Sequence, residues 1–279
     1  MSAASIHVGT SGYSFADWVG PFYPPGTKRG DFLQHYASAF GCVEVNSTYY
    51  RIPNPRVLHL MEKKTPEGFR FIVKLNQAMT HAGAFEDSLA REFLGVLQPL
   101  KDAGKYFGVL AQFPWGFKRS EATKAHLERV RAVMPGEPLW AEFRHDSWMH
   151  PKLPEWLRER AIGYCAVDEP ALPGLVPPVT HLTTDEAYIR LHGRNEKTWW
   201  GRDGGDRYDY DYSERELTEW VGRWRILRAA PNRRTCSSIT ATRARPPAMR
   251  SSWKNSCAAR TSRCRNGIAG PTPFDSGAR

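Results

Sequence analysis

Leu139-Trp140-Ala141-Glu142-Phe143-Arg144-His145 is a short apolar run that closes on dense charge. Tyr188-Ile189-Arg190-Leu191-His192-Gly193-Arg194 closes the same way. A strand's side chains alternate between its faces, so Glu142 and Arg144 share one face, as do Arg190 and His192. Ionisable groups at a strand end are costly unless paired, solvated or used. Such strands serve a pocket better than a core.

Working outward, similar runs recur along the chain: Ile6–Gly9, Cys42–Asn46, Arg70–Lys74, Tyr106–Gln112 and Gly163–Val167. Between them lie segments with helical periodicity. The spacing predicts helices near Asp31–Phe40, over Asp87–Ala103 with Leu89, Phe93, Leu94 and Leu97 inward, and over Glu121–Val133. A last helix is expected from Ser213 to Leu227, with Ser213 and Glu216 as its capping box. Strands alternating with helices indicate a mainly parallel α/β sheet. Seven strands and a missing eighth point to a TIM-type (β/α) barrel.

In a barrel the carboxyl ends of all strands face one mouth, where binding and catalytic groups collect. Those ends supply Glu44 and Asn46, Lys74, Gln112, then Glu142, Arg144 and His145, then Asp168, Arg190 and His192. Arg194 follows two residues later and reads either as part of the rim or as a solvated loop residue. Glu44 and Glu142 are candidates for general acid and base, with His192 as a proton carrier. The alternative is that each carboxylate neutralises a neighbouring arginine, Glu142 with Arg144 first. Asn46, Lys74, Gln112, Arg144, His145, Asp168, Arg190 and Arg194 are the candidate ligand-binding groups, and the cations suit phosphate or carboxylate. Glu44, Asp168, His145 and His192 are too scattered to indicate a metal. No phosphate loop, dinucleotide fingerprint or serine-nucleophile elbow is present, so no cofactor is indicated.

Aromatic residues cluster in the loops: Tyr13, Trp18, Phe22, Tyr23, Tyr49 and Tyr50 early, then Trp199, Trp200, Tyr208, Tyr210 and Tyr212. They either cap the barrel or stack a sugar or base. The segment Asn195–Tyr212 has the composition of a lid.

These residues together resemble the YecE-like family, domain of unknown function 72. The resemblance rests on Gly9-Thr-Ser-Gly-Tyr13, Trp18, Phe22-Tyr-Pro24, Glu44-Val-Asn-Ser-Thr-Tyr-Tyr50, Thr65-Pro66, Lys74 and Thr80-His81. It continues through Gln112-Phe-Pro114, Glu142-Phe-Arg-His145, Ser147-Trp148 and Arg190-Leu-His-Gly-Arg194, spanning about residues 6–225. The resemblance implies a TIM-type barrel with a mouth lined by these groups. It implies no reaction, and the fold's similarity to barrels acting on sugars and abasic DNA is analogy.

The resemblance ends near Arg234. Family members continue with an apolar strand ending in Asn and an amphipathic helix, whereas this chain reads Thr235-Cys-Ser-Ser-Ile-Thr-Ala-Thr-Arg-Ala-Arg-Pro-Pro. Back-translated with G/C-rich codons and read one base earlier, the segment permits Tyr-Val-Leu-Phe-Asn-His-Gly-His-Ala-Arg-Gln-Ala-Ala-Arg-His-Ala-Leu-Glu-Leu-Glu-Glu-Leu. Met249, Trp253 and Lys254 constrain that reading tightly. A frameshift near Thr235 is therefore expected, dividing the chain into a barrel domain, 1–234, and a basic, disordered, non-family tail, 235–279, with the last strand and helix lost or garbled.

The tail also explains the net charge. Of the formal +10, residues 235–279 carry +7, with eight Lys/Arg and one acid, leaving +3 for the body. Hydrophobic content of 41% and charge content of 24% are those of a globular protein. The amino terminus lacks the pattern of a secretory signal and no run suits a membrane span, so the cytoplasm is the expected compartment. Cys42 and Cys165, each in a strand-like run, fit buried reduced thiols.

The sequence thus describes a barrel whose polar, partly cationic mouth binds a small anionic or sugar-containing molecule, without a membrane partner. As an enzyme it would be an acid–base hydrolase or isomerase. The alternatives are a non-catalytic nucleic-acid binding module and an inactive frameshifted copy.

Overall fold

A computed structural model describes residues 6–201, 206–228 and 237–241. Seven parallel strands curl around a common core: β1 Ile6–Ser11, β2 Cys42–Val45, β3 Arg70–Lys74, β4 Tyr106–Gln112, β5 Leu139–Glu142, β6 Gly163–Asp168 and β7 Ala187–Leu191. Helices connect them: α1 Phe32–Ala39, α2 Ser47–Tyr50, α3 Pro55–Lys63, α4 Gln77–Thr80, α5 Asp87–Asp102, α6 Glu121–Ala132, α7 Leu153–Glu159 and α8 Glu214–Arg228. The expected strands and long helices fall within a few residues of these bounds.

Residues Ser237–Ala241 form β8, which pairs in parallel with both β7 and β1 and closes the strand order into a ring. The expectation is a last strand lost or garbled, and it is not lost: five residues of the given sequence take the eighth place. Strand pairing uses backbone groups that any proline-free segment supplies, and Ile239 and Thr240 are β-branched types that suit it. The helix that family members carry after this strand, and the tail from residue 242 onward, lie outside the described residues.

Inside the curl of strands, side chains fill the space at the density of a packed interior. The plug consists of Cys42, Ile72, Phe107, Leu110, Trp140, Cys165 and Tyr188, and both cysteines are buried thiols outside any disulfide. A much larger apolar layer lies between the strands and the surrounding helices. In α5 the buried stripe is Ala90, Phe93, Val96, Leu97 and Leu100, with Leu89 and Leu94 partly buried beside it. The capping box of α8 is formed, Ser213 accepting from the Glu216 N–H while the Glu216 carboxylate accepts from the Ser213 N–H at 2.8 Å.

Sequence reading missed α3, although Asn54-Pro55 is a start signal. Asn54 accepts from the Arg56 N–H at 2.9 Å, and Pro55 occupies the first turn, where no N–H is needed.

Trp140 is the widest element of the plug, stacked on Phe107 with ring centroids 5.1 Å apart. It fits because β6 presents glycine beside it: a Cβ on Gly163 would lie 2.2 Å from the indole. Substituting Gly163→Ala is expected to destabilise the fold by about 2 kcal/mol or more through overpacking. Chemical denaturation checks this, and an unchanged midpoint would show that the indole can shift.

Candidate functional site

The strand period carries each inward row from the apolar plug to the mouth. Two residues beyond Cys42 is Glu44, beyond Ile72 is Lys74, and beyond Leu110 is Gln112. Trp140 leads to Glu142 and Arg144, and Tyr188 leads to Arg190 and His192. The charges of the opening motifs are thus continuations of core rows.

Arg190 is the centre of this layer and only 3% exposed. One guanidinium nitrogen donates to Glu44 at 2.8 Å and to Ser11 Oγ at 3.0 Å, and the other donates to Glu142 at 2.5 Å. Glu44 also accepts from Ser11 at 3.0 Å and from the Tyr188 hydroxyl. Glu142 is ion-paired with Arg144 at 2.6 Å, although that N–H is not aligned as a hydrogen bond. His192 Nε2 stands 3.2 Å from the same carboxylate. The strand-end charges, two carboxylates and two arginines, are therefore one interlocked buried cluster.

Electrostatics follow from that packing. Burial alone would raise the Glu142 pKa, but Arg144, Arg190 and His192 together hold it well below the usual carboxylate value. Burial pushes His192 down to about 3, with Arg144 acting the same way, so it is neutral near pH 7. Its neutral Nε2–H tautomer donates to Glu142. Lys74 is lowered to about 8, first by desolvation and then by Arg190.

Above the cluster opens a cavity of about 550 Å³ whose lining includes Ser11, Glu44, Asn46, Lys74, Gln112, Arg144, Arg190 and Tyr208. Glu142 is not among its lining residues. Lys74 donates to Gln112 Oε1 at 2.8 Å and sits 4.4 Å from the Tyr49 ring centre. Asn46 Oδ1 is buried without a hydrogen-bond partner. A second cavity of about 270 Å³ adjoins the first, with Gln112, Arg144 and Tyr208 lining both.

Three expected site residues stand elsewhere. Asp168 has the opposite strand parity to inward-facing Cys165, and it accepts from Arg194 at 2.8 and 2.7 Å and from the Trp220 indole of α8. Asp168 and Arg194 thus tie β6 to α8 and line neither cavity. His145 accepts the Ser147 N–H at 3.0 Å and packs against Trp115, and it too lines neither cavity.

The same parity identifies a residue that sequence reading missed. Glu169 lies four positions beyond Cys165 and lines the second cavity. Its carboxylate accepts from the Val176 N–H at 2.9 Å and from Arg144 at 3.3 Å. Burial pushes its pKa up to about 7, against the pull of Arg144. Counting by twos from Cys165 would have found it.

Among the described residues, no group of three or more His, Cys, Asp or Glu is placed to hold a metal ion. No described helix is long and apolar enough to cross a membrane.

Fold and site define a parallel α/β protein, curled around a packed interior, with a buried ion cluster beneath an open cationic cavity. The chain belongs to the DUF72 family, described as a protein of unknown function, whose model matches residues 7–266. The matched span passes residue 234 and takes in β8, so the break in motif lies inside it. The chain is 33% identical over 232 residues to the UPF0759 protein YunF of Bacillus subtilis, covering 77% of this chain and 81% of that one. A 98-residue stretch is 34% identical to the UPF0759 protein YecE of Escherichia coli K12, about a third of each chain. The crystal structure of a DUF72 family protein from Thermotoga maritima superposes with a TM-score of 0.78 at 36% identity, covering 92% of this chain and 98% of that one. One from Enterococcus faecalis at 24% identity shares the fold, with a TM-score of 0.76, covering 97% of this chain and all of that one.

Proposed function

We propose that this chain is a cytoplasmic TIM-type barrel protein whose mouth binds a small organic anion through a phosphate or carboxylate. One observation carries the reading. Lys74, Arg144 and Arg190 all line the larger cavity, while Glu142, the carboxylate that faces both arginines, lies beneath them. Cationic faces thus point to the ligand and their strongest counter-ion points to the core. Arginine's fixed fork suits oxyanions, and neutralisation from below limits the cost of burying the guanidinium groups. Asn46 adds a buried amide oxygen without a partner at the same wall, an acceptor for a hydroxyl of the same ligand.

The acid–base chemistry assigned to Glu44, Glu142 and His192 is less well supported by their contacts. Glu142 is held ionised, His192 is held neutral, and Glu44 already accepts from three donors. Groups displaced toward neutrality are better proton carriers, and these are Lys74 and Glu169.

Titration calorimetry with sulfate, whose charge is constant from pH 7 to 9, tests the reading. Arg144→Met is expected to weaken sulfate binding about tenfold, as the loss of a charge-assisted contact does. Affinity is expected to fall as pH rises through about 8, where Lys74 loses its proton. Lys74→Met removes that pH dependence. Sulfate that does not bind, or that binds the Arg144 variant equally well, overturns the proposal.

We also propose that the reading frame shifts near Thr235. The alternative frame's apolar strand followed by an amphipathic helix supports this. Nucleotide sequence across the codons for Arg233 to Ser256 is the test, and an unambiguous printed frame rules out a sequencing error.

A further inference from the structure

The second cavity differs from the first in being walled by tryptophan. Trp115, Trp199 and Trp200 line it, together with Arg144, Glu169 and Arg207. Trp200 is 55% exposed and Trp115 40%. Large aromatic side chains are ordinarily buried, so two exposed indoles at one cavity are informative. They meet edge to face with centroids 5.6 Å apart. Trp115 is also anchored, its indole N–H donating to Gly174 O at 3.1 Å. An anchored aromatic wall offers a ring a flat apolar surface at little entropic cost.

The polar groups that line the same cavity have the character of hydroxyl partners. Glu169 has one oxygen held by the Val176 N–H and the other at 3.3 Å from Arg144, and Gln112 adds an amide. Arg207 lies over Trp199 at 5.7 Å, and its Nε is buried without a hydrogen-bond partner. A planar base needs a stacking face and few edge contacts, whereas a sugar needs an apolar face together with donors and acceptors for several hydroxyls. The cavity supplies the second combination. It is joined to the first through Gln112, Arg144 and Tyr208, which line both.

We propose that the second cavity is a subsite for the ring of a phosphorylated monosaccharide whose phosphate occupies the first cavity. This rests on the anion-binding reading above and extends it from a charge to a molecule of two parts. Arg144 at the junction reaches both the phosphate and a ring hydroxyl. Trp200 contributes to the ring half alone, because it does not line the larger cavity.

The test is titration calorimetry of the full chain with inorganic phosphate, glucose 6-phosphate, ribose 5-phosphate and adenosine monophosphate. At least one sugar phosphate is expected to bind about tenfold or more tighter than phosphate. In Trp200→Ala that gain disappears while the phosphate affinity stays as in the parent, and Trp115→Ala repeats the result. Both variants are checked for parental thermal unfolding. A sugar phosphate that binds no tighter than phosphate, or a gain that survives both substitutions, overturns the subsite. A gain confined to adenosine monophosphate assigns the wall to a base and overturns the sugar. Failure of phosphate and every phosphorylated probe to bind removes the anion reading itself, a separate outcome from loss of the ring increment alone.

Discussion

Replacing Arg190 with methionine is expected to destabilise the fold by about 3–5 kcal/mol, the loss typical when one partner is removed from a buried ion cluster. The guanidinium faces two carboxylates, Glu44 and Glu142, each fully buried. Without it, Glu44 loses its ion-pair partner, and Glu142 keeps Arg144 and His192 but not its shortest contact. The expected fall in Tm is roughly 10 °C, at about 2–4 °C per kcal/mol for a large domain. Arg190→Lys should restore little, since a single ammonium cannot hold both carboxylates and Ser11 with the geometry of a fork. Combining Arg190→Met with Glu44→Gln and Glu142→Gln should recover part of the loss, because the unpaired charges then disappear. An Arg190→Met protein within about 1 kcal/mol of the parent would show that water or rearrangement takes over the guanidinium's role.

Acid stability should depend on two buried groups that oppose each other. His192 has a folded pKa of about 3 against 6.5, so the unfolded chain binds the extra proton as pH falls from 6.5 to 3, and stability falls. Glu169 has a folded pKa of about 7 against 4.5, so the folded chain binds the extra proton between pH 7 and 4.5, and stability rises as pH falls. Each contributes a slope of about 1.4 kcal/mol per pH unit with opposite sign. Between pH 6.5 and 4.5 they cancel. Below 4.5 the balance ends, because Glu142, ionised only in the folded state, adds its loss to that of His192. Glu169→Gln should therefore lose stability from pH 6.5 to 4.5 by about 3 kcal/mol relative to the parent. His192→Asn should instead gain across the same interval. Urea unfolding at half-unit pH steps measures both, and parallel profiles for parent and Glu169→Gln would refute the opposition.

The parts of the fold legible in the sequence were those carrying strong periodicity. The runs at Arg70–Lys74 and Tyr106–Gln112 coincide with β3 and β4, because buried parallel strands are short, apolar and bounded by turns. Strand β8 was not legible, because Ser-Ser-Ile-Thr-Ala has no apolar row and its pairing depends on two edges far away in sequence. Helix α7 is short and carries proline in its first turn, so its periodicity was weak.

Within the site, the grouping of Glu44, Lys74, Glu142, Arg144 and Arg190 followed from placing every strand end at one mouth. What that reasoning lacked was direction. Asp168 and Glu169 are adjacent in sequence, yet one meets Trp220 and the other lines a cavity. Only the parity of β6 separates them. Nor could sequence order show that Arg190 contacts both Glu44 and Glu142, 146 and 48 residues away.

The Arg190 cluster has a consequence for how relatives of this chain are to be compared. Its members depend on one another, so exchanging any one of them alone is penalised whether or not the protein performs any chemistry. Invariance of Arg190, Glu44 and Glu142 across an alignment would therefore report a shared folding constraint, and would be a poor guide to substrate. The informative columns are those of Lys74, Gln112, Trp115 and Trp200, which line the cavities without holding the cluster together. Variation there, against a fixed ionic centre, would separate relatives by the molecules they accept.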